Sequence, residues 1–337
     1  MCTNFRNKTA KDGSVVVGRT LEFPAVVDWS LSVLPSDYHG EAQIPAGSTV
    51  KPRTWDAKYG IVGVAGFGKP NILVDGINTA GISVHLHWMG GGYCTFQEYK
   101  GDGTDIAETD LAAFLLGTCS SIAEIREAMK TVNVWGFDPG MGFVPPCHIL
   151  AHDVTGSLAI EFHPEGHRVL DNPLGVGTNA PYLEWHLVNV RNYVGLSPFD
   201  PPTADVLGQK INVMGHGLGL RGLPGDYSPP SRFIQALLMV ATSKQPEDGE
   251  DSERLAMHIA NHFDIVPGMV REVAPDGSEL CEVTDWTAVC NLNAKRYAYR
   301  TLDNPTTFVI ELEKTDFTKA ARLADFPTAA AFTPVTI

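Results

Sequence analysis

The first 23 residues carry the pattern of a β-hairpin. Residues 2–9 alternate as a polar strand, Lys11–Gly13 is a turn signal, and a valine-rich strand returns from it. Folding about that turn brings Arg19 and Glu22 alongside Cys2. The sequence therefore predicts that Cys2 lies on a paired strand, with Arg19 and Glu22 on the neighbouring strand.

Cys2 directly follows the initiator methionine, and because cysteine is small we expect Met1 to be removed. Removal leaves a thiol and an α-amine, with reference pKa values of about 8.5 and about 7.7–8.0, on one residue. A nucleophile that uses its own α-amine as the base is an established catalytic arrangement. Arg19 near the thiol would favour the thiolate, and Glu22 would hold the ammonium. The alternative is an incidental cysteine on an exposed hairpin.

Composition indicates an ordinary globular chain with a large core. The sequence has 337 residues, of which 44% are hydrophobic and 19% charged, and this length allows one or two domains. A formal net charge of −14 argues against a phosphate-binding surface, so we expect no nucleic-acid partner. The other cysteines form no CxxC pair and are expected to be reduced and partly buried: Cys94, Cys119, Cys147, Cys281 and Cys290.

The expected compartment is the cytoplasm. No basic-then-apolar signal segment precedes Cys2, and no apolar run is long enough to span a membrane. A periplasmic protein whose signal peptide was replaced by a start methionine would have the same sequence, so that alternative stays open.

Two histidine clusters invite a metal interpretation. The strand at residues 82–88 has period two, which places His85 and His87 on one face, where a structural pair is favoured over a zinc site. On a second strand, the spacing of Cys147, His148 and His152 gives no acceptable ligand set. We therefore expect no metal.

Two further polar residues stand at informative positions. Asn179 ends a strand before Pro181, where its amide could donate to a developing oxyanion, although an ordinary Asn turn is the alternative. Arg232 lies in the first turn of a predicted helix, where the helix dipole disfavours a cation, so it has either a specific role or a carboxylate partner. The glycine-rich stretch 215–225 lacks a preceding apolar strand and is weak as a nucleotide site.

The order of elements predicts an α+β fold with largely antiparallel sheets, because no run of βαβ units occurs. We expect helices over residues 110–119, 122–132, 231–242 and 252–263, a charged linker over 243–251, and strands over 29–34, 82–88, 148–153, 157–162, 287–292, 296–302 and 307–312. The last 20 or so residues are expected to cover the surface or to reach a neighbouring subunit.

Five stretches together resemble the choloylglycine hydrolase family, the N-terminal-nucleophile hydrolases of linear amides that include bile salt hydrolases and penicillin V acylases. They are Met1-Cys2-Thr3 with Lys11-Asp12-Gly13, Gly18-Arg19-Thr20-Leu21-Glu22, Asp75-Gly76-Ile77-Asn78 with Gly81, residues 175–196 from Gly175-Val176-Gly177-Thr178-Asn179-Ala180-Pro181 onward, and residues 219–234 from Gly219-Leu220-Arg221-Gly222 to Ser231-Arg232-Phe233-Ile234. Their order and spacing make the resemblance specific.

The resemblance implies a four-layer αββα sandwich with two mainly antiparallel sheets, formed as a single domain over residues 2–337. It implies Cys2 as the nucleophile with its α-amine as the base, Arg19 beside the thiol, Asn179 in the oxyanion hole and Arg232 as a second active-site arginine. No cofactor or metal is implied. The partners implied are a small N-acyl amide substrate and other copies of the chain, with a tetramer as the expected assembly.

Two positions depart from the family pattern. Glu22 stands where relatives usually carry Asp. His87 falls near a position that is Asn or Tyr in relatives, and for this reason His87 and its neighbour Trp88 are expected to line the substrate pocket. The predicted activity is penicillin V acylase-like or conjugated bile salt hydrolase-like, through a thioester acyl-enzyme. The alternatives are an acylase of N-acyl homoserine lactones or other N-acyl amides, and a non-catalytic or metal-binding protein of the same fold.

Overall fold

Two large antiparallel sheets, faced by helices, make up the body of the computed structural model. The structure describes residues 1–24, 27–274 and 276–327. Within these residues, no helix is long and apolar enough to cross a membrane.

Sheet I contains both strands of the predicted N-terminal hairpin. Its strand order is β14-β1-β2-β18-β19-β20, and β17 pairs with the first part of β18. The bounds are β1 Cys2–Arg6, β2 Val16–Phe23, β14 Val176–Gly177, β17 Val270–Val273, β18 Glu279–Asn291, β19 Arg296–Thr301 and β20 Phe308–Glu311. The register Cys2↔Leu21 and Asn4↔Arg19 confirms the hairpin predicted from the sequence.

Sheet II stacks on sheet I and has the order β13-β12-β11-β8-β7-β6-β3-β21. Its strands are β3 Ser30–Leu34, β6 Ile61–Ala65, β7 Leu73–Asn78, β8 Ser83–Trp88, β11 Cys147–His152, β12 Ser157–His163, β13 Gly166–Asp171 and β21 Arg322–Ala324. Short pairs complete the strands: β4 His39–Glu41 with β5 Thr54–Asp56, β9 Asp105–Ala107 with β10 Asn133–Trp135, and β15 Ala204–Val206 with β16 Gln209–Ile211.

The helices divide between the two outer faces of the sheets. They are α1 Glu108–Thr118, α2 Ile122–Met129, α3 Leu183–Asn189, α4 Pro229–Thr242 and α5 Gly249–Asn261, with short 3₁₀ turns at Val190–Tyr193, Leu218–Leu220 and Leu312–Lys314. Helix α1 packs on β7 and β8 of sheet II, whereas α4 packs on β1 and α5 on β2 and β18 of sheet I. Ser121 caps α2 by accepting from the Glu124 amide at 3.2 Å, as its capping-box sequence predicts.

Three apolar clusters hold these layers together. One lies between α1, α2 and sheet II and includes Leu115, Ile149 and Ile160. The second lies between the two sheets and contains Cys2 itself, and the third packs sheet I against α4 and α5 through residues such as Phe233. The layer order is helix, sheet, sheet, helix, which confirms the predicted αββα sandwich.

Several predicted boundaries differ from the structure. The strand expected at residues 287–292 is the end of β18, which begins at Glu279, because its polar first half pairs with β17 at the exposed edge. Helix α5 starts at Gly249, inside the predicted linker, because Asp248 caps it by accepting from the Asp251 amide at 2.8 Å. Within the predicted surface tail, residues 322–324 form β21 and pair with β3 at the edge of sheet II, and residues 328–337 lie outside the described residues.

Candidate active site

Cys2 begins β1, between β14 and β2 in sheet I, and faces the interface between the sheets. Its side chain is 4% exposed. Arg19 lies diagonally across the hairpin, and its Nη2 is 3.5 Å from the Cys2 Sγ. The hairpin register therefore brings the predicted nucleophile and its predicted arginine together.

A buried network fixes the Arg19 guanidinium. Its Nη2 donates to the Leu86 carbonyl at 2.7 Å, its Nη1 lies 3.5 Å from Asp75 Oδ2, and its centre stacks 4.4 Å from the Trp286 ring. Asp75 also contacts His85 at 2.5 Å and accepts from the Tyr297 hydroxyl at 2.7 Å.

Asp75 is ionised within this network. Burial alone would raise the pKa of its carboxyl, but His85 and then Arg19 outweigh that effect and lower the pKa below its ordinary value. The negative charge of Asp75 therefore compensates the buried Arg19 cation, which leaves Arg19 oriented toward the thiol.

Asn179 contacts both the N-terminal segment and β8. Its Oδ1 accepts from the Cys2 backbone amide at 3.1 Å and also from Arg232 Nη2, while its Nδ2 donates to the Trp88 carbonyl at 2.7 Å. An amide NH₂ has two hydrogens, so one remains for an incoming group after Trp88 is satisfied.

Arg232 lies in the first turn of α4 and is 1% exposed. It donates to the Cys2 carbonyl, the Thr3 Oγ1 at 2.7 Å, the Asn179 Oδ1 and the Tyr227 carbonyl at 2.8 Å. None of these acceptors is a carboxylate, but burial lowers the pKa of Arg232 and the negative charge of nearby Glu22 offsets part of that lowering. Both the hold on β1 and Asn179 and this carboxylate therefore explain the position of Arg232.

Glu22 is buried beside the N-terminus. The Thr284 hydroxyl donates to its Oε1 at 3.3 Å, and its Oε2 has no hydrogen-bond partner among the described residues. Burial raises the pKa of its carboxyl above the ordinary value, and Arg232 offsets part of that rise. The Met1 ammonium donates to the Glu22 carbonyl and lies 3.3 Å from both carboxylate oxygens of Glu282.

His87 and Trp88 form part of the wall near Cys2. His87 Nδ1 donates to the Thr178 carbonyl at 2.8 Å, and burial, reinforced by Arg19, lowers the pKa of His87 well below its ordinary value, so the ring is neutral. Trp88 packs against Phe23 and Phe143, with ring centroids 5.8 Å and 6.1 Å apart. Both ring nitrogens of His85 have partners, Asp75 and Ser83, whereas His87 Nε2 has no hydrogen-bond partner among the described residues.

Two cavities adjoin these residues. The inner cavity, of about 80 Å³, is lined by Cys2, Arg19, Glu22, His87 and a mainly apolar wall including Phe23, Val27, Trp29, Phe67, Leu86, Trp88 and Met141. The outer cavity, of about 600 Å³, is lined by Met1, Asn179, Phe143, Leu280, Glu272 and Glu282 among others, and shares Phe23, Trp88 and Met141 with the inner one. Within residues 1–24, 27–274 and 276–327, no group of three or more potential metal ligands occurs.

Sequence analysis named Thr3, Asp75 and His85 but gave them no role at this site. It did not single out three further residues of this region: Trp286, Tyr297 and Glu282. A signal existed for Asp75, because a carboxylate within the apolar segment 71–77 must have buried partners. Glu282 had no such signal, since it lies on a polar strand whose neighbours are set only by the tertiary fold.

Comparison with known proteins decides the family. Residues 2–326 match the model for linear amide C–N hydrolases, choloylglycine hydrolase family. The chain belongs to this family. It is 30% identical over 321 residues to a bile salt hydrolase/transferase of Clostridium perfringens, covering 93% of both chains. A bile salt hydrolase/transferase of Lactiplantibacillus plantarum is 30% identical over 266 residues, which are 75% of this chain and 78% of the relative.

Solved structures of similar proteins have the same architecture. A variant of the conjugated bile acid hydrolase from Clostridium perfringens superposes with a TM-score of 0.86 at 26% identity, covering 99% of this chain and 100% of that one. Penicillin V acylase from Agrobacterium tumefaciens gives a TM-score of 0.76 at 18% identity over 97% of this chain and 92% of its own, a likeness of fold alone.

Proposed function

We propose that this linear amide hydrolase uses Cys2 as an N-terminal nucleophile and forms a thioester acyl-enzyme. One arrangement carries the proposal: the Cys2 Sγ contacts Arg19 at 3.5 Å while the Cys2 backbone nitrogen contacts Asn179 at 3.1 Å, beside an apolar cavity. Removal of Met1 would convert that backbone nitrogen into the α-amine.

The proposed reaction is acyl transfer in two steps. The Cys2 thiolate attacks the amide carbonyl, while the free hydrogen of Asn179 Nδ2 and a backbone N–H near His87 bind the oxyanion. The α-ammonium gives its proton to the leaving nitrogen as the C–N bond breaks. The amine then takes a proton from water, whose hydroxide hydrolyses the thioester and regenerates the thiol.

The remaining polar residues have supporting roles in this proposal. Arg19 favours the thiolate by its charge, and Glu22 orients the ammonium. Arg232 holds the Cys2 carbonyl and Asn179, so that nucleophile and oxyanion donor keep a fixed separation. None of these steps requires a metal or cofactor.

The inner cavity supports a compact acyl group. Its small size and mainly apolar lining favour a compact apolar acyl group, such as the phenoxyacetyl group of penicillin V, over a fused-ring steroid acyl group. We therefore propose penicillin V acylase-like chemistry ahead of conjugated bile salt hydrolysis.

N-acyl homoserine lactones are the second candidate substrates. A narrow apolar cavity can accept an unbranched acyl chain, and the lactone carries no charge into the acidic outer cavity. The same active-site residues would perform the reaction.

Hydrolysis of a substrate panel tests the proposal. Penicillin V, an N-acyl homoserine lactone and glycine- or taurine-conjugated bile salts are assayed with the native chain and with Cys2→Ala, alongside intact-mass measurement. We expect loss of Met1, turnover of a compact acyl amide and no turnover by Cys2→Ala. Retained Met1 in an active enzyme, or full activity of Cys2→Ala, would overturn the assignment of Cys2 as an N-terminal nucleophile. No turnover of any amide in the panel would leave the non-catalytic or metal-binding alternative as the better account.

Three further expectations accompany this function. We propose that residues 2–337 act as one domain, that the chain forms a homo-oligomer, with a tetramer expected from the family resemblance, and that it works in the cytoplasm. Light scattering of the purified protein tests the assembly, and fractionation of the native source tests the compartment against the periplasm.

A further inference from the structure

The outer cavity carries carboxylates at two depths. Glu282 on β18 lies inside it with its side chain 14% exposed, and Glu272 on β17 lies exposed at its rim. Among the described residues that line this cavity, none is Lys, Arg or His. A group that enters the outer cavity therefore meets negative charge without a cationic side chain to balance it.

A cation is already bound at the inner end of this cavity. The Met1 ammonium lies 3.3 Å from each Glu282 carboxylate oxygen and donates to the Glu22 carbonyl. Its contacts are those that the primary ammonium of a substrate would make at the same position in the outer cavity. Removal of Met1 takes this ammonium away from Glu282, and the α-amine that then remains is that of Cys2, which the proposed reaction uses as acid and base.

The two active-site arginines do not reverse this charge. Arg232 is not among the residues that line the outer cavity, and its donors are directed to Cys2, Thr3, Asn179 and Tyr227. Arg19 lines only the inner cavity.

The position of the α-amine decides which part of a substrate enters which cavity. The Cys2 nitrogen is bonded to the Met1 carbonyl, and Met1 lines the outer cavity, whereas Cys2 and Arg19 line the inner one. Because the α-ammonium must protonate the leaving nitrogen, the leaving amine belongs in the outer cavity and the acyl group in the inner cavity.

We infer that Glu282, assisted by Glu272, selects substrates whose leaving amine is cationic or neutral and disfavours leaving amines that carry a carboxylate or sulfonate. This inference rests on the proposed function. The inference changes the expected substrate class, because hydrolysis of penicillin V or of a conjugated bile salt releases an amine that carries a carboxylate or a sulfonate. Amides of a compact acyl group with a diamine, or with an uncharged amine, would then be better substrates than either.

A matched series of amides tests the inference. Phenoxyacetyl amides of glycine, glycinamide and ethylenediamine share one acyl group and carry an anionic, a neutral and a cationic leaving amine. We expect kcat/KM for the cationic amide to exceed that for the anionic one by about tenfold or more at low salt. The ratio should shrink at high ionic strength because salt screens the carboxylates.

Glu282→Gln assigns the selectivity to one residue. This variant should lower the cationic-to-anionic ratio by about tenfold, whereas Glu313→Gln, an exposed carboxylate outside both cavities, should leave it unchanged. If Glu282→Gln fails to fold, Glu272→Gln at the exposed rim should shift the ratio in the same direction by about threefold. Equal turnover of the anionic and cationic amides, or a ratio that neither variant moves, would overturn the inference.

Calorimetry with Cys2→Ala separates this inference from the proposed function. The variant keeps a small second residue, so Met1 is still expected to be removed, and binding of the same amides is measured without turnover. In one outcome, the cationic amide binds more tightly than the anionic one, Glu282→Gln abolishes this difference, and the native chain hydrolyses none of the amides. That outcome would overturn the proposed function and support the inference. If the native chain hydrolyses the amides, or the variant binds them, with no difference between the cationic and the anionic amide, the inference alone would be overturned.

Discussion

Replacing Asn179 with Ala should lower kcat without unfolding the protein. The substitution removes the Nδ2 donor proposed for the oxyanion, and loss of one such donor costs about 3 kcal/mol of transition-state stabilisation, or roughly 10²-fold in rate. It also removes the acceptor for the Cys2 nitrogen at 3.1 Å and for Arg232, and the donor to the Trp88 carbonyl at 2.7 Å. Leaving these groups unpaired should cost a further ~1–3 kcal/mol of folding stability.

Initial rates and thermal unfolding of the same preparation distinguish the two effects. We expect kcat to fall by about 10²-fold or more with KM changed only a few-fold, because the donor acts mainly in the transition state. Asn172→Ala is the matched control, since Asn172 is a buried asparagine whose Nδ2 donates to the Val176 carbonyl at 2.9 Å, with no contact to Cys2. A kcat for Asn179→Ala within a few-fold of the native value, or an equal loss in the control, would refute the reasoning.

Two other substitutions have defined outcomes. Asp75→Asn should lower the free energy of unfolding by about 3–5 kcal/mol, because it leaves the buried Arg19 cation uncompensated, and it should also lower kcat. Chemical denaturation measures the loss of stability, and an unchanged midpoint would contradict the prediction. Burial raises the pKa of Glu108 to about 8, so the folded state retains a proton that the unfolded state loses at about pH 4.3, and stability should decline as pH rises between these values. Glu108→Gln should flatten that decline, which is at most about 5 kcal/mol, and an unaltered pH profile of the melting temperature would count against the assignment.

The local pattern of the sequence was sufficient to predict the N-terminal hairpin. The turn at residues 11–13 fixes which residues pair, so Arg19 could be placed beside Cys2 before any tertiary structure was known. The family resemblance supplied the sandwich and the distant residues Asn179 and Arg232, which local periodicity alone could not bring to Cys2.

The parts that sequence did not predict depend on long-range packing. Glu282 reaches the N-terminus only because β18 pairs with β2, with an irregular register between Thr284 and Trp286. The start of α5 was misplaced because its cap, Asp248, lies within a run of charged residues that reads as a linker. Such features follow from which strands become neighbours rather than from any local pattern.

Trapping the acyl-enzyme tests the central claim most directly. The native chain is mixed with a phenoxyacetyl amide, quenched in acid within a turnover, and its N-terminal peptide is analysed by mass spectrometry. The account predicts a peptide that lacks Met1 and carries the phenoxyacetyl group on Cys2 as a thioester that hydroxylamine removes, with no adduct in Cys2→Ala. An acyl group on any other residue, or full turnover by a chain that retains Met1, would contradict it.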